Sequence, residues 1–205
     1  MSNKKILVLF FHPRFEDSKA NKGLLKAIDG MSNVTIRDMY EQYPDFNIAI
    51  KLEQQLLLEH DIIVWQYPFF WYNCPPLMKQ WIDLVLELGW AYGRDGDKLE
   101  GKYLFNVITS GGSFEVYQKT GRNRFTYREF LNSFEQTAYL CHMDYLPPFI
   151  IPAAGRLTEE QLEEYGDNYR NLLITIQQPD FDFAQLENIT YFNNFKLLLC
   201  NKNKF

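Results

Sequence analysis

No G-x-G-x-x-G follows the first apolar run of the sequence, and no G-x-x-x-x-G-K-[ST] occurs anywhere in its 205 residues. A nucleotide-first Rossmann domain and a P-loop enzyme are thereby excluded, because both use those glycines to bring backbone N–H groups onto a phosphate. Cysteine is scarce and unpatterned. Cys74, Cys141 and Cys200 form no C-x-x-C and have no metal-ligand spacing, as expected of reduced thiols in a cytoplasm and of a chain without a metal site. Cations are in deficit, 21 Lys and Arg against 26 Asp and Glu, so at a net charge of −5 no nucleic-acid surface is expected. No run nears the roughly 20 apolar residues of a membrane span. The ILVLFF that follows MSNKK is too short for a signal peptide and reads as a strand.

Apolar and aromatic side chains are abundant. At 46% hydrophobic and 17% aromatic the chain can bury one sizeable core, and no low-complexity linker divides it. Lys5–Phe11, Asp61–Gln66 and Lys102–Ile108 are continuous apolar runs of the kind a parallel sheet buried on both faces requires, and Val34–Met39 alternates as a strand nearer an edge does. Asp144–Ile151, interrupted by prolines, fits a short fifth strand at a sheet edge.

Helical patterns separate these strands. One is capped by Asp17 or Ser18, runs to about Asp29 and has Leu24, Leu25 and Ile28 on its inner face; a second runs from about Ile50 to His60 and carries Leu52, Leu56 and Leu57. A third opens on Pro75 and Pro76 with a stripe of Leu77, Met78, Trp81, Ile82, Val85 and Leu88. A fourth spans about Tyr127–Cys141, and a fifth starts at the capping box of Thr158 and Gln161 and reaches about Gln177. The alternation predicts an α/β three-layer sandwich around a five-stranded parallel sheet, residues 1–179, followed by a tail, 180–205, that packs on the domain or a neighbour and frays at its polar end.

Three stretches follow successive strands and would share the carboxyl edge of the sheet, where open parallel sheets bind ligands. His12, Ser18, Lys19, Ala20 and Asn21 surround the start of a helix, an anion seat that needs no glycine. Pro68 ends the third strand and Phe69, Phe70, Trp71 and Tyr72 follow at once, a loop of π-faces suited to a flat heteroaromatic ring or to a hydrophobic contact with a second chain. Thr109, Ser110, Gly111, Gly112 and Ser113, with Tyr117 beyond, place close-approaching backbone amides and a neutral donor at the same mouth. A phosphate seat, a ring platform and an amide cradle describe a flavin lying across the sheet.

The stretches HPRFEDSKAN, YEQYPDFNI, QYPFFWYNCPPLMKQWID, GWAYG, LEGKYL, TSGGSFEVY and LPPFII resemble the flavodoxin-like NAD(P)H quinone oxidoreductases, and within them the bacterial branch that includes ancillary proteins of glutathione-gated potassium efflux systems. The resemblance covers Lys5 to about Leu173. It implies strand order 2-1-3-4-5 and FMN, or alternatively FAD, held by His12 and Ser18–Asn21 at the phosphate, Phe69–Tyr72 along the ring and Ser110–Ser113 at its pyrimidine end. It further implies a homodimer, NAD(P)H as co-substrate, and two-electron ping-pong hydride transfer to quinones or similar electrophiles, with Tyr117 and the Gly111 and Gly112 amides as the catalytic groups. Where the mammalian quinone reductases of this family carry a histidine, counted from Gly121, this chain has Asn123, which donates a hydrogen bond and carries no proton at neutral pH. Two other roles stay open: a flavin-loaded regulatory subunit of a potassium efflux transporter, cytoplasmic but peripheral to the membrane's inner face, and a one-electron carrier.

Overall fold

In the computed structural model, which describes residues 2–194, five consecutive residues of β1 (Ile6–Phe10) are fully buried. Burial on both faces is the reason no polar residue interrupts the run: each such side chain contributes about 1.5–3 kcal/mol when removed from water. The chain continues through α1 (Lys19–Ile28), β2 (Val34–Asp38), a one-turn α2 (Met39–Gln42), α3 (Ile50–Glu59), β3 (Ile62–Pro68), α4 (Pro76–Val85) and β4 (Tyr103–Thr109). It ends with α5 (Tyr127–Phe130), α6 (Asn132–Leu140), β5 (Asp144–Tyr145), β6 (Phe149–Ile151) and α7 (Glu159–Ile176). The sheet is parallel throughout, in the order β2-β1-β3-β4-β5, with β6 also on β4. The strand order that the family resemblance implies is thus the one observed, with one difference. Pro147 and Pro148 cannot continue a hydrogen-bonded ladder, so the single fifth strand expected is two short pieces in register with different ends of β4.

Period-2 alternation sorts the strands into two cores. Leu7, Leu9, Ile63, Trp65 and Leu104 face α3, α4 and α6, while Ile6, Val8, Ile62, Val64 and Phe105 face α1 and α7. Those last two helices approach closely enough that a Cβ on Gly166 would lie 3.0 Å from that of Ala27. The tail adds a third contact to the second core: Phe183 stacks on Tyr103 at 3.8 Å, Phe192 meets Phe105 edge-on, and the Asn193 side chain bonds both the N–H and the carbonyl of Ile150. Cys200 and the polar end expected to fray lie outside the described residues.

The helices depart from the expected pattern in three places. In α3 the buried positions are Glu53, Gln54 and Leu57, and Leu52 is 49% exposed. The apolar count there points to the wrong face, because Glu53 has partners inside: its carboxylate accepts from Arg37 Nη2 at 2.7 Å, the Tyr43 hydroxyl at 2.7 Å and Trp81 Nε1 at 3.0 Å. The helix expected over 127–141 breaks at Leu131 into α5 and α6, and α4 ends at Val85, leaving Leu88 beyond it and 72% exposed.

Candidate active site

The carboxyl ends of β1, β3, β4 and β6 deliver four loops to one edge of the sheet. Ser18 caps α1, its Oγ accepting from the Asn21 N–H at 3.3 Å and from Asn21 Nδ2 at 3.0 Å, which leaves the hydroxyl hydrogen free to point outward. Among the described residues the N–H groups of Lys19 and Ala20 have no protein acceptor, as expected for the first turn of a helix. His12 is buried, and burial holds its pKa below the ordinary 6.5 despite the opposing pull of Asp17. Its Nδ1 accepts the Arg14 N–H at 3.1 Å, so the neutral ring carries its proton on Nε2.

That shift has a sign that can be measured. A histidine whose folded pKa is lowered takes up protons more readily in the unfolded chain, so its contribution to stability is complete above about pH 6.5 and is lost as pH falls below it. Thermal melts of the flavin-free protein between about pH 7 and about pH 5 should show a declining melting temperature, less steep in His12→Gln. Superimposable slopes for the two proteins would remove His12 as the cause.

Loop two holds strain. Trp71 (φ +50°) and Tyr72 (φ +63°) are both left-handed without being glycine, each at a cost on the order of 1 kcal/mol. The loop is anchored by Phe69 N–H to the Thr109 carbonyl at 2.8 Å, by Tyr72 stacking on Phe130 at 5.0 Å, and by the Tyr72 hydroxyl donating to Asn123 Oδ1 at 3.3 Å. Phe69 is buried, Phe70 half-exposed, and Trp71 stands 92% exposed. Cys74 at the loop's end is no thiolate, since burial pushes its pKa up to about 11.

In the third loop Ser110 Oγ lies 2.5 Å from the Tyr127 hydroxyl, and both reach the Gly112 carbonyl, at 2.9 and 3.1 Å. Gly112 is enclosed: a Cβ there would come within 2.7 Å of Val116 Cγ2 and 2.8 Å of the Tyr117 ring. Gly111 is the opposite case, with nothing within 4 Å of the added carbon. Tyr117 is buried, stacked on Tyr127 at 3.9 Å, and its pKa is raised by burial and then by Tyr72, so it is a neutral donor at physiological pH.

Two cavities adjoin at Phe69 and Gly111. One, of about 660 Å³, is lined by His12, Ser18, Lys19, Ala20, Pro68, Phe69, Phe70, Thr109, Ser110 and Gly111 among others; the second, of about 460 Å³, by Phe69, Trp71, Tyr72, Gly111, Gly112 and Tyr117. The three stretches singled out in the sequence therefore meet. Two of their residues line neither cavity. Asn21 is fully buried beneath the site, donating to Thr109 Oγ1 at 3.1 Å and accepting from Gln66 Nε2 at 3.2 Å, while Gln66 accepts from the Tyr169 hydroxyl at 3.3 Å. Ser113 lies at the start of the turn that leads to Tyr117.

Sequence reasoning missed a fourth loop. Ala154, Gly155, Arg156 and Leu157 follow β6 and line the cavities, as do Arg14, Arg122 and Leu162. The signal was present in the rule that loops at strand carboxyl ends carry sites; the prolines of the fifth strand drew attention to the sheet edge instead.

A sequence profile of the flavodoxin-like fold matches residues 4–173. The chain belongs to the flavodoxin-like family. Among curated relatives of this flavodoxin-like chain, a glutathione-regulated potassium-efflux system ancillary protein KefG from Serratia proteamaculans is 45% identical over 173 residues, 82% of this chain and 94% of that protein. Among solved structures, general stress protein 14 from Treponema denticola, in complex with FMN, superimposes with a TM-score of 0.79 at 35% identity, over 84% of this chain and 99% of that one. An NADPH-quinone reductase from P. pentosaceus does so with a TM-score of 0.76 at 29% identity, over 82% and 97%.

Proposed function

We propose that this flavodoxin-like protein is an FMN-dependent oxidoreductase that passes a hydride from NAD(P)H to a quinone or a similar planar electrophile. The observation that carries the reading is Gly111: its missing side chain leaves open the junction between an anion seat and an aromatic-walled cavity, the space a tricyclic ring on a phosphate tether needs. The donor set fits as well. The Ser18 hydroxyl, the Lys19 and Ala20 N–H groups and the neutral His12 suit the phosphate, helped by the positive end of α1. The N–H groups of Gly111 and Gly112, without protein acceptors among the described residues, suit ring carbonyl and nitrogen atoms. Beyond His12 the surface continues into a hollow faced by Glu16, Asp17, Asp38 and Glu41 against one cation, Arg14, which is paired with Asp17; a second phosphate would meet an excess of carboxylates there, which favours FMN over FAD.

When bound, FMN supplies the hydride chemistry, taking two electrons from the nicotinamide and giving them up to the acceptor. The protein's part is positional and electrostatic. Phe69 is the buried wall of the site, with Trp71 and Tyr72 on its rim, and the Ser110 and Tyr127 hydroxyls hold the Gly112 carbonyl, which steadies the segment whose N–H dipoles face the developing negative charge. Tyr117 is assigned as the neutral hydrogen-bond donor; Asn123, held by Tyr72, can orient a ligand but carries no proton, so no proton transfer is assigned to it.

The direct test is to purify the protein, identify any released flavin by mass, and assay NADH and NADPH oxidation with menadione. Stoichiometric FMN with menadione-dependent turnover is expected; protein that stays colourless in excess FMN overturns the reading. Tyr117→Phe should retain flavin affinity within about twofold and lose about tenfold in turnover, the worth of one hydrogen bond; equal loss in both would assign Tyr117 to packing alone.

The exposed Phe70, Trp71, Tyr72 and Phe125 around the same mouth support a homodimer that covers them, measurable by sedimentation. The likeness to KefG supports a second role, as a flavin-loaded ancillary subunit at the inner face of the membrane. Among the described residues no helix is long and apolar enough to cross a membrane, so that role requires docking onto a transporter. Flavin-loaded protein without turnover that binds such a transporter would favour the second role over the first.

A further inference from the structure

We propose that Arg122 and Arg156 make the cavity over Gly111 and Gly112 selective for a co-substrate that carries an anionic group beside its planar ring. The inference rests on the oxidoreductase reading above and names which substrates that site prefers. Of the residues lining this cavity, Arg122 and Arg156 are the charged ones, and no carboxylate lines it. Arg14 pairs with Asp17, Arg37 with Glu53 and Arg128 with Glu135, whereas Arg94, Arg124 and Arg170 are in no ion pair among the described residues; what sets Arg122 and Arg156 apart is that both line one cavity. Among the described residues neither Arg122 nor Arg156 is paired with a carboxylate, although the protein carries a net charge of −5.

Both arginines stand on turns built into the site. Ala153 and Ala154 donate their N–H groups to the Gly112 and Ser110 carbonyls, each at 2.8 Å, and the Arg156 N–H closes the turn onto Ala153 at 2.7 Å. Ala153 adopts φ +51°, so this turn is held in a strained form directly against the glycine pair. On the other side, Gly121 brings its turn so near the Glu115 and Val116 carbonyls that a Cβ would lie 2.4 and 2.8 Å from them. Arg122 follows, and Asn123 is tied by its N–H to the Val116 carbonyl at 2.9 Å and by its side chain to Tyr72. Two guanidinium forks on fixed turns, with Trp71 and Tyr72 lining the same cavity, match a ligand that combines a flat ring with a phosphate, sulfonate or carboxylate. That anion has two possible sources: the 2′-phosphate of a phosphorylated nicotinamide dinucleotide, or an acidic group on the electron acceptor.

The test compares full-length, flavin-loaded wild type with the Arg122→Met/Arg156→Met variant by calorimetric titration, which needs no turnover. Two probe pairs separate the sources: adenosine 2′,5′-bisphosphate against AMP, and anthraquinone-2-sulfonate against menadione. The wild type should favour the member with the additional anionic group in one pair by about tenfold, the worth of one charge-assisted hydrogen bond, and the variant should lose that preference. Raising salt from ~20 to ~300 mM should weaken the favoured anion in the wild type, whereas the net negative charge alone would produce the opposite trend. A wild type with no preference in either pair, or a preference that survives in the variant, overturns the proposal. Flavin content and menadione turnover of the wild type test the oxidoreductase reading separately; selective anion binding without turnover would sink that reading and leave the arginines' role supported.

Discussion

Gly111→Leu is expected to weaken FMN binding by at least about 100-fold, near 2.7 kcal/mol, while leaving thermal stability within about 0.5 kcal/mol of wild type, as surface substitutions do. A Cβ at this position meets no protein atom within 4 Å, so a leucine here grows into the open space proposed for the ligand. Gly112→Ala, one residue on, should behave in the opposite way. Its Cβ would come within 2.7 Å of Val116 and 2.8 Å of a Tyr117 ring that is itself clamped on Tyr127, and overpacking of that kind costs about 1–3 kcal/mol. Flavin fluorescence titration and chemical unfolding of both variants decide the matter. Wild-type FMN affinity in Gly111→Leu would show that the ring lies elsewhere, and with it would go the proposed function.

Glu53→Ala should be the most destabilising single change away from the site, by about 3–5 kcal/mol, because it leaves a buried guanidinium without its counter-charge. The carboxylate is fully buried and Arg37 nearly so, and Tyr43 and Trp81 lose the same acceptor. The double substitution Glu53→Met/Arg37→Met should recover much of the loss, because an apolar pair of similar volume removes both charges from the interior. Unfolding curves in urea give the comparison; a double variant no more stable than Glu53→Ala would show that the cost came from Trp81 and Tyr43 rather than from the stranded charge. Since Trp81 sits on the helix that follows the aromatic loop, Glu53→Ala should also loosen the wall of the cavity.

The strands were legible because burial on both faces demands unbroken apolar runs, and Ile6–Phe10, Ile62–Pro68 and Tyr103–Thr109 supply them. Ser18 and Thr158 were legible as caps because capping chemistry is local, spanning three residues. The site was legible to the extent that topology alone brings loops after parallel strands to one edge. Leu52 and Glu53 were not: apolar counting would place the leucine inside, and only Arg37, Tyr43 and Trp81, from 10 to 28 residues away, reverse the order. Asn21 was read as a ligand-facing amide, yet its side chain is spent on Thr109, 88 residues away, and on Gln66. Arg156 escaped notice because nothing in the neighbouring residues shows that its turn is bonded to the Ser110–Gly112 segment.

The order of elements, the parallel sheet, the helix caps and the three aromatic, hydroxyl and glycine stretches at the sheet's carboxyl edge were all determined by the sequence, since each depends on periodicity or on chemistry within a few residues. Tertiary structure alone decided which polar side chains go inside, which of two adjacent glycines is filled by a neighbour and which faces open space, and that two unpaired arginines share one cavity with the aromatic loop. The reason is that a buried polar or charged group is stable only where distant partners satisfy it, and a cavity is defined by the atoms around it rather than by the residue that borders it.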